Sequence, residues 1–410
     1  MIVQANDVYD VIRAVKLARR ENWRVAVRSG GHSWAGNHIR DGGMLLDVSR
    51  LDDARIDKHA LRATAGPGCT GAGLAMRLLR QGLFFPAGHC RGVCLGGYLL
   101  QGGYGWHSRV LGPACMSVEG IDVVTADGEL IHASADENAD LYWSARGAGP
   151  GFFGVVTRFH LRLYRRPKLI GAAVQTFSID KLEEVFRWAH GIRREVPAAV
   201  ELMLLLSRDT PGVRGPGILA IAPVFADSWR AAWDAASFLT HGPLRRRASL
   251  ALPFVPTGLN LLYTGVMQHY PADHRYAVDN MWTGASFDDL LPGLRRIAET
   301  LPAAPSHALW MNWVPPPSRP DMAYSMEDEI YLALYSVWKD AKDDAAFAQW
   351  PVERMREMQH LCSGCQLADE NLGQRPVRFV SDEHLARLDR IRAERDPQSR
   401  FFPWMGRPNV

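Results

Sequence analysis

The chain has 410 residues, 47% hydrophobic and 22% charged, the balance of a globular protein and not of a disordered or fibrous one. Lys and Arg total 47 against 44 Asp and Glu, and the resulting charge of +3 is too weak a field to hold nucleic acid or an anionic membrane. At about 150 residues per domain the length predicts two domains or three, and no apolar run approaches the roughly 18 residues of a membrane span.

A short strand at Ile2-Val3-Gln4-Ala5 leads into a helix over 8–18, where Val8, Val11, Ile12, Val15 and Ala18 share a face and Asn6 or Asp7 caps the start. No apolar core with a small-residue cleavage site opens the chain, so the default expectation is a cytoplasmic protein. Strands are expected at 24–30 and 44–49 and a helix at 71–83. In 120–134 two β runs flank Asp127-Gly128, a hairpin signal. A further β run covers 152–164, and Arg165-Arg166-Pro167 punctuates it.

From about 169 to 365 the texture changes. Strand-like runs at 172–177, 201–206, 218–225 and 329–338 alternate with amphipathic helices. One helix presents Leu182, Val185, Phe186, Ala189 and Ile192 on a face, and another carries Trp229, Trp233 and Ala236. The pattern predicts an α+β domain, an antiparallel sheet covered by helices on one side. A last helix over 381–396 has Ser381 as cap and Leu385, Leu388 and Ile391 in a stripe, and Asp396-Pro397 stops it.

Six cysteines, at 69, 90, 94, 115, 362 and 365, are too sparse for a disulfide scaffold. Cys362 and Cys365 form a C-x-x-C pair, but no second pair or H-x-x-x-H completes a metal site, and none is expected. Cys69 and Cys115 read as buried thiols, which leaves a special role for Cys90 or Cys94.

Two glycine-rich stretches dominate the first half. Arg28-Ser29-Gly30-Gly31-His32-Ser33-Trp34-Ala35-Gly36 follows a strand directly. It is either a tight turn with a hydrogen-bonded histidine or a loop whose amides converge on an anion, and it matches neither a Rossmann nor a Walker loop. The second stretch runs from Pro86 and packs seven glycines into 18 residues, among them Gly88, Gly96, Gly97, Gly102, Gly103 and Gly105. At about 1 kcal/mol lost per interior glycine no helix tolerates that density, so backbone is expected to approach something flat or phosphorylated.

Together these stretches resemble the FAD-binding domain of the berberine-bridge-enzyme-like oxidoreductases, within the vanillyl-alcohol oxidase superfamily of PCMH-type FAD-binding proteins. The likeness lies in R-S-G-G-H-S at 28–33, G-x-C-x-x-V at 88–93 and the glycines at 96–105. It extends to A-R-G-A-G-P-G-F-F-G-V-V-T at 145–157, with Gly154 and Val155, the segment that lies along the flavin in that family. The resemblance implies a discontinuous FAD domain, 1–168 with a return at 366–410, wrapped around a substrate domain at 169–365. It also implies FAD held by two covalent bonds, 8α-histidyl at His32 and 6-S-cysteinyl at Cys90, or by His32 alone. Val93 then stands where the family gates oxygen, and a valine there goes with oxidases. Cys94 replaces the family's usual glycine and reads as packing.

The chain departs from the family at Arg91-Gly92, at Gln101, and in lacking the α/β layer expected ahead of Ile2, which points either to a misassigned start or to a pared-down domain. The family's Tyr-x-Asn has its nearest counterpart in Asp369-Glu370-Asn371. Asp369 and Asn371 are thus candidates for a proton-accepting pair, or members of a solvated acidic loop. In the strand at 329–338 alternation puts Tyr331, Ala333, Tyr335 and Val337 on one face, and Tyr335 is a second candidate base, or a cross-strand tyrosine in a sheet. His89, Trp106 and His107 flank the cysteine motif as pocket candidates or structural residues. The expected activity is hydride removal from a small organic substrate (alcohol, amine, sugar or secondary-metabolite intermediate), with dioxygen as acceptor and no nucleic-acid or membrane partner. The alternative is a flavin-binding pseudoenzyme or partner subunit with little turnover.

Overall fold

The computed structural model describes residues 1–316 and 318–407. The chain divides into two compact units, the first Met1–Arg166 with Ser318–Ser325 and Pro376–Val410, the second Pro167–Pro317 with Met326–Arg375.

Unit 1 opens on a parallel sheet in the order Ile2–Gln4, Gly43–Asp47, Arg24–Arg28. The helix Val8–Arg20 is the crossover between the two outer strands, and the glycine-rich segment after Arg28 carries the chain back to the middle one. Asp7 caps that helix by accepting from the Asp10 amide, while Val11, Ala14, Val15 and Ala18 bury its inner face. The helix expected over 71–83 is shorter, Gly71–Leu79 capped by Thr70, because Leu83–Phe84 leaves it to pair with Tyr164–Arg165. A five-stranded antiparallel sheet follows, ordered Ala54–Asp57, Arg62–Ala65, Val155–Arg162, Val118–Val124, Leu130–Ser134. Its last two strands form the hairpin expected at Asp127-Gly128, where Gly128 takes φ +77°.

The tail closes this unit. Ser381 caps the helix Asp382–Arg395, Asp396 accepts from the amides of Arg400 and Phe401, and the Val25 amide donates to the Arg400 carbonyl at 2.7 Å.

Unit 2 is a wholly antiparallel seven-stranded sheet. Its order is Leu250–Pro256, Leu169–Ser178, Gly217–Ala226, Met203–Ser207, His307–Asn312, Ile330–Trp338, Arg275–Thr283. The core lies between one face of the sheet and the helices Leu182–Gly191, Trp229–Thr240, Phe287–Thr300 and Trp350–Glu357. Ile330, Leu332 and Leu334 point into it, which places Tyr331 and Tyr335 on the opposite face. In helix Trp229–Thr240 the buried residues are Ala232, Ala235, Ala236 and Leu239, whereas Trp229 and Trp233 remain 58% and 43% exposed. The face taken as apolar from its tryptophans is therefore rotated; the alanines pack because they let the helix approach the sheet.

The division departs from the expected one in two places. Ser318–Ser325 belongs to unit 1 because the Ala323 and Tyr324 amides donate to the carbonyls of Trp143 and Arg146, and because Gly147 has no side chain: a Cβ there would lie 2.0 Å from the Tyr324 nitrogen. The return to unit 1 comes at Pro376 and not at 366, because Arg375 is buried in unit 2 on Asp279 at 2.6 Å.

Candidate active site

In unit 1 the strand Arg24–Arg28 ends in the first glycine stretch. Arg28 donates to Asp47 at 2.6 Å and braces the loop from below, lying where a Cβ on Gly31 (φ +69°) would meet its Nε at 2.7 Å. Burial works against the Asp47 carboxylate, but the Ser49 amide and side chain and the Arg28 guanidinium outweigh it and hold Asp47 below the usual carboxylate range. Ser33 closes the next turn by accepting from the Asn37 amide and side chain at 3.2 and 3.1 Å. His32 and Cys90 are both half-buried. The loop after Cys90 approaches the histidine, since a Cβ on Gly92 would lie 3.6 Å from His32 Cδ2.

Most of the remaining glycines make room for other parts of the chain. A Cβ on Gly30 would meet Cys94 Sγ at 2.8 Å, and one on Gly96 would meet Ser29 Oγ at 2.8 Å. On Gly88 and Gly103 it would press on Tyr98, on Gly105 it would strike the Ala87 carbonyl at 2.2 Å, and on Gly102 (φ +99°) it would strike the Tyr324 ring at 2.6 Å. Gly88 and Gly105 bridge one another, and the Tyr98 hydroxyl donates to the Pro86 carbonyl at 2.6 Å. Gly154 and Val155 are buried at the start of a strand, Gly154 against Val123. Gly36 and Gly97 differ, because a Cβ on either would meet only ordinary contacts at 3.7 and 3.5 Å. The inference that so many glycines must serve a bound group is therefore too broad: chain-on-chain packing requires most of them. Val93 is half-buried and its carbonyl accepts from the Gly71 amide at 2.9 Å. Cys94 is buried, its thiol against the Gly68 carbonyl at 3.2 Å, in keeping with a packing role.

In unit 2 the chain brings two of the three catalytic candidates together. Residues 363–366 run beside the edge strand Arg275–Thr283. The Trp282 amide donates to the Gly364 carbonyl at 2.7 Å, the Ser363 amide to the Trp282 carbonyl at 2.9 Å, and Asn280 exchanges two hydrogen bonds with the Gln366 backbone. The short turn Leu367–Asp369 then carries Asp369 to the sheet. Its Oδ2 accepts from the Tyr331 hydroxyl at 2.5 Å and from the Tyr335 hydroxyl at 2.9 Å. Both tyrosines are buried, and burial together with the adjacent carboxylate raises both phenols well above their ordinary pKa.

Behind Tyr335, His307 stacks on its ring with centroids 4.7 Å apart, and the Tyr270 ring lies 5.3 Å from Tyr335. His307 Nδ1 is 3.0 Å from the Pro305 carbonyl, which only accepts, so Nδ1 carries the proton and Nε2 accepts from the Tyr270 hydroxyl at 3.3 Å. Complete burial, with His269 beside it, lowers the His307 pKa to about 3. Asn371 is half-buried, and its backbone carbonyl closes a turn by accepting from the amides of Gln374 and Arg375. Among the described bonds its side chain does not reach the Asp369 cluster.

A family model described as an FAD binding domain matches residues 1–134. The FAD-linked oxidoreductase nodO of Hypoxylon pulicicidum is 32% identical over 98% of this chain and 89% of its own length. The chain belongs to the FAD-linked oxidoreductases.

The ptmO protein of Penicillium ochrochloron, of the same description, is 33% identical over 98% of this chain and 89% of its own. Among solved structures, the 6-hydroxy-D-nicotine oxidase of Arthrobacter nicotinovorans superposes with a TM-score of 0.84 at 21% identity, covering 98% of this chain and 90% of that one. The berberine bridge enzyme of Eschscholzia californica gives 0.82 at 17% identity, covering 100% and 90%. The fold of this FAD-linked oxidoreductase is accordingly of the berberine-bridge type, α+β in class.

The residues present fit FAD. An imidazole and a thiol, both half-buried, stand on loops that approach one another at Gly92, a donor set suited to covalent attachment of a flavin, and Gly36 and Gly97 leave adjoining backbone uncrowded. Sequence reasoning about this oxidoreductase missed Tyr331 as a functional side chain, although alternation had set it beside Tyr335. It also missed His307 and Tyr270. The pairing of His307 with Tyr335 is a matter of strand register, which no local pattern states.

Proposed function

We propose that this FAD-linked oxidoreductase is an oxidase of small organic alcohols, amines, sugars or secondary-metabolite intermediates, with FAD linked to both His32 and Cys90 and dioxygen as its second substrate. FAD, when bound, supplies the hydride acceptor and returns the electrons to oxygen. The observation that carries the chemical role of unit 2 is the convergence of two buried phenols on Asp369 Oδ2. A carboxylate so held is oriented, and it takes the proton of a substrate O–H or N–H. Tyr331 and Tyr335 remain protonated through the neutral range, so they donate to the carboxylate and do not compete with it as bases. The acceptor role we give to dioxygen rests on Val93, the valine that goes with oxidases in the resemblance.

The test begins with intact mass and colour of the acid-denatured protein for the wild type, His32→Ala and Cys90→Ala. Flavin that stays with the chain in each single variant and is lost in the double variant supports two links; loss in His32→Ala alone reduces them to one. Photoreduction followed by mixing with air reads the second half-reaction. Rapid reoxidation with peroxide release is expected, and flavin that stays reduced for minutes would overturn the oxidase in favour of a dehydrogenase or a flavoprotein with little turnover.

A further inference from the structure

The five-stranded sheet of unit 1 carries a cluster that the flavin chemistry does not use. On strand Val118–Val124 the residues Ile121 and Val123 point into the core, which sends Gly120 and Asp122 to the other face. Pairing sets His132 directly opposite Asp122 on one side and His160 opposite Gly120 on the other. Asp122 Oδ1 is 2.8 Å from His132 Nδ1 and 3.0 Å from His160 Nε2, and the three donor atoms all lie within 4.8 Å of one another.

Gly120 is what lets the two rings meet. Their centroids are 5.0 Å apart at 85°, and a Cβ on Gly120 would lie 3.0 Å from His132 Cε1 and 3.2 Å from its Nε2. Any larger residue there pushes the imidazole off the cluster. The Asp122 backbone is pinned by the Thr157 hydroxyl at 3.2 Å and that of His132 by Asn138 at 2.7 Å. The three side chains stand on three neighbouring strands and are 28%, 40% and 34% exposed, so the platform is rigid yet open to solvent.

We propose that Asp122, His132 and His160 form a binding site for a borderline divalent transition ion, with zinc the reference case. Two imidazoles and one carboxylate are a donor set that such ions take, at about 2.0–2.2 Å per ligand, with water completing the coordination. Arms of that length at tetrahedral angles put donors about 3.3 Å apart. The observed 2.8 and 3.0 Å therefore have to open by a few tenths of an ångström, within the reach of a side-chain rotation. Both histidines bind as neutral rings, each keeping its proton on the nitrogen remote from Asp122. With Asp122 ionised the liganded cluster carries one net positive charge. Arg158 has its Nε 3.9 Å from Asp122 Oδ2 and adds to that charge, but Arg158 also pairs with Asp53 at 3.2 Å, which offsets it. A lone carboxylate–histidine hydrogen-bond ladder would need neither the second ring nor the glycine beneath it.

The experiment uses the purified flavoprotein stripped with a chelator, titrated with Zn²⁺ by calorimetry and checked by elemental analysis after dialysis. The wild type is expected to retain one more equivalent than His132→Ala, His160→Ala or Asp122→Asn. His59→Ala, an exposed histidine on another turn, is expected to match the wild type. Loaded protein should also melt a few degrees higher, a shift absent in the three variants. Gly120→Val gives an independent reading, because it keeps all three ligand residues but displaces the His132 ring, and it is expected to abolish the retained equivalent. Equal zinc retention in wild type, His132→Ala and His160→Ala, or none in the wild type, would overturn the site. If an alanine variant does not fold, His160→Gln and the titration of the wild type itself decide.

Discussion

Unit 1 positions its candidate groups by close packing against glycine backbone, whereas unit 2 positions its own by hydrogen bonds along a strand edge. The loops of His32 and Cys90 are held because Gly30 admits Cys94, Gly96 admits Ser29 and Gly105 lies on Ala87. Asp369, by contrast, reaches Tyr331 and Tyr335 because residues 363–366 follow the strand Arg275–Thr283 and Asn280 and Asp279 hold what comes after. A site of the first kind tolerates little change in side-chain size. One of the second kind tolerates size changes but fails when a polar partner is removed and its mate is left buried.

The largest effect expected is in unit 2. Asp369→Asn keeps the shape but accepts no proton, and turnover should fall by about 10²–10⁴-fold with flavin content unchanged. Tyr335→Phe and Tyr331→Phe each remove one hydrogen bond to a charged oxygen, about 1.5–3 kcal/mol, and should lower kcat by roughly ten- to a hundredfold. Steady-state kinetics with full flavin loading is the check; an Asp369→Asn variant at wild-type rate would remove the acceptor from unit 2 altogether.

Next in size is the anchor of that segment. Arg375 and Asp279 are 4% and 1% exposed, and Arg375 also donates to the Asn280 carbonyl and to Gln359. Arg375→Ala leaves a carboxylate buried without its cation and should destabilise the protein by about 3–5 kcal/mol in denaturant titration. Asp279→Leu combined with Arg375→Met should recover most of that loss, since an apolar pair carries no desolvation cost.

The same contrast sets what the sequence discloses. The strands near 24–28 and 43–47, the hairpin at Asp127-Gly128 and the helix starts at Asp7 and Ser381 rest on neighbours within a few positions, and each is legible, whereas the parallel pairing of Ile2–Gln4 with Gly43–Asp47 is not. His32 and Cys90 stand out in the sequence as members of short motifs. Asp369 and Tyr335 each stood out separately, but nothing local joins residue 369 to residues 331 and 335. That contact depends on which strand lies at the sheet edge and on where the chain leaves it. The docking of Ser318–Ser325 onto Gly147 and Gly102 was hidden for the same reason: a glycine announces that something is close, not what. The tryptophans of helix Trp229–Thr240 misled because size was taken for burial; alanine buries more completely where a helix lies flat on a sheet.

A smaller effect separates the units by pH. His307 is neutral in the folded protein, with a pKa lowered from 6.5 to about 3 by burial. Below pH 6.5 the unfolded chain binds a proton that the folded one refuses, so stability declines as pH falls toward 3. At pH 5 the loss is about 2 kcal/mol. His307→Gln should flatten this slope in melts between pH 7 and 5, leaving a residue from His269, whose pKa burial also lowers. The two raised tyrosines act at the other end. They stay protonated where the unfolded phenols ionise, so their contribution is complete below about pH 10 and is lost above it.

The smallest effect bears most directly on how unit 1 is built. If Gly30 is required by its neighbour and not by a bound group, Gly30→Ala should lower stability by about 1–2 kcal/mol, the cost of overpacking, because the new Cβ meets Cys94 Sγ at 2.8 Å and its Cβ at 3.0 Å. The backbone itself allows alanine, since Gly30 is not among the residues with positive φ, so the penalty is steric and belongs mainly to the Cys94 side chain, with the Cys94 backbone nitrogen at 3.2 Å adding a smaller part. Removing that side chain should remove most of the penalty. Gly30→Ala with Cys94→Gly clears the thiol from one loop as it adds a methyl to the other and is expected to regain more than half of the loss, short of the whole because the contact with the residue 94 nitrogen at 3.2 Å remains. Thermal melts of the wild type, Gly30→Ala and the double variant decide it. A Gly30→Ala protein that melts normally but fails to hold flavin would show the opposite, that the glycine serves the cofactor, and the contrast between the two units would then narrow to the position of their hydrogen bonds.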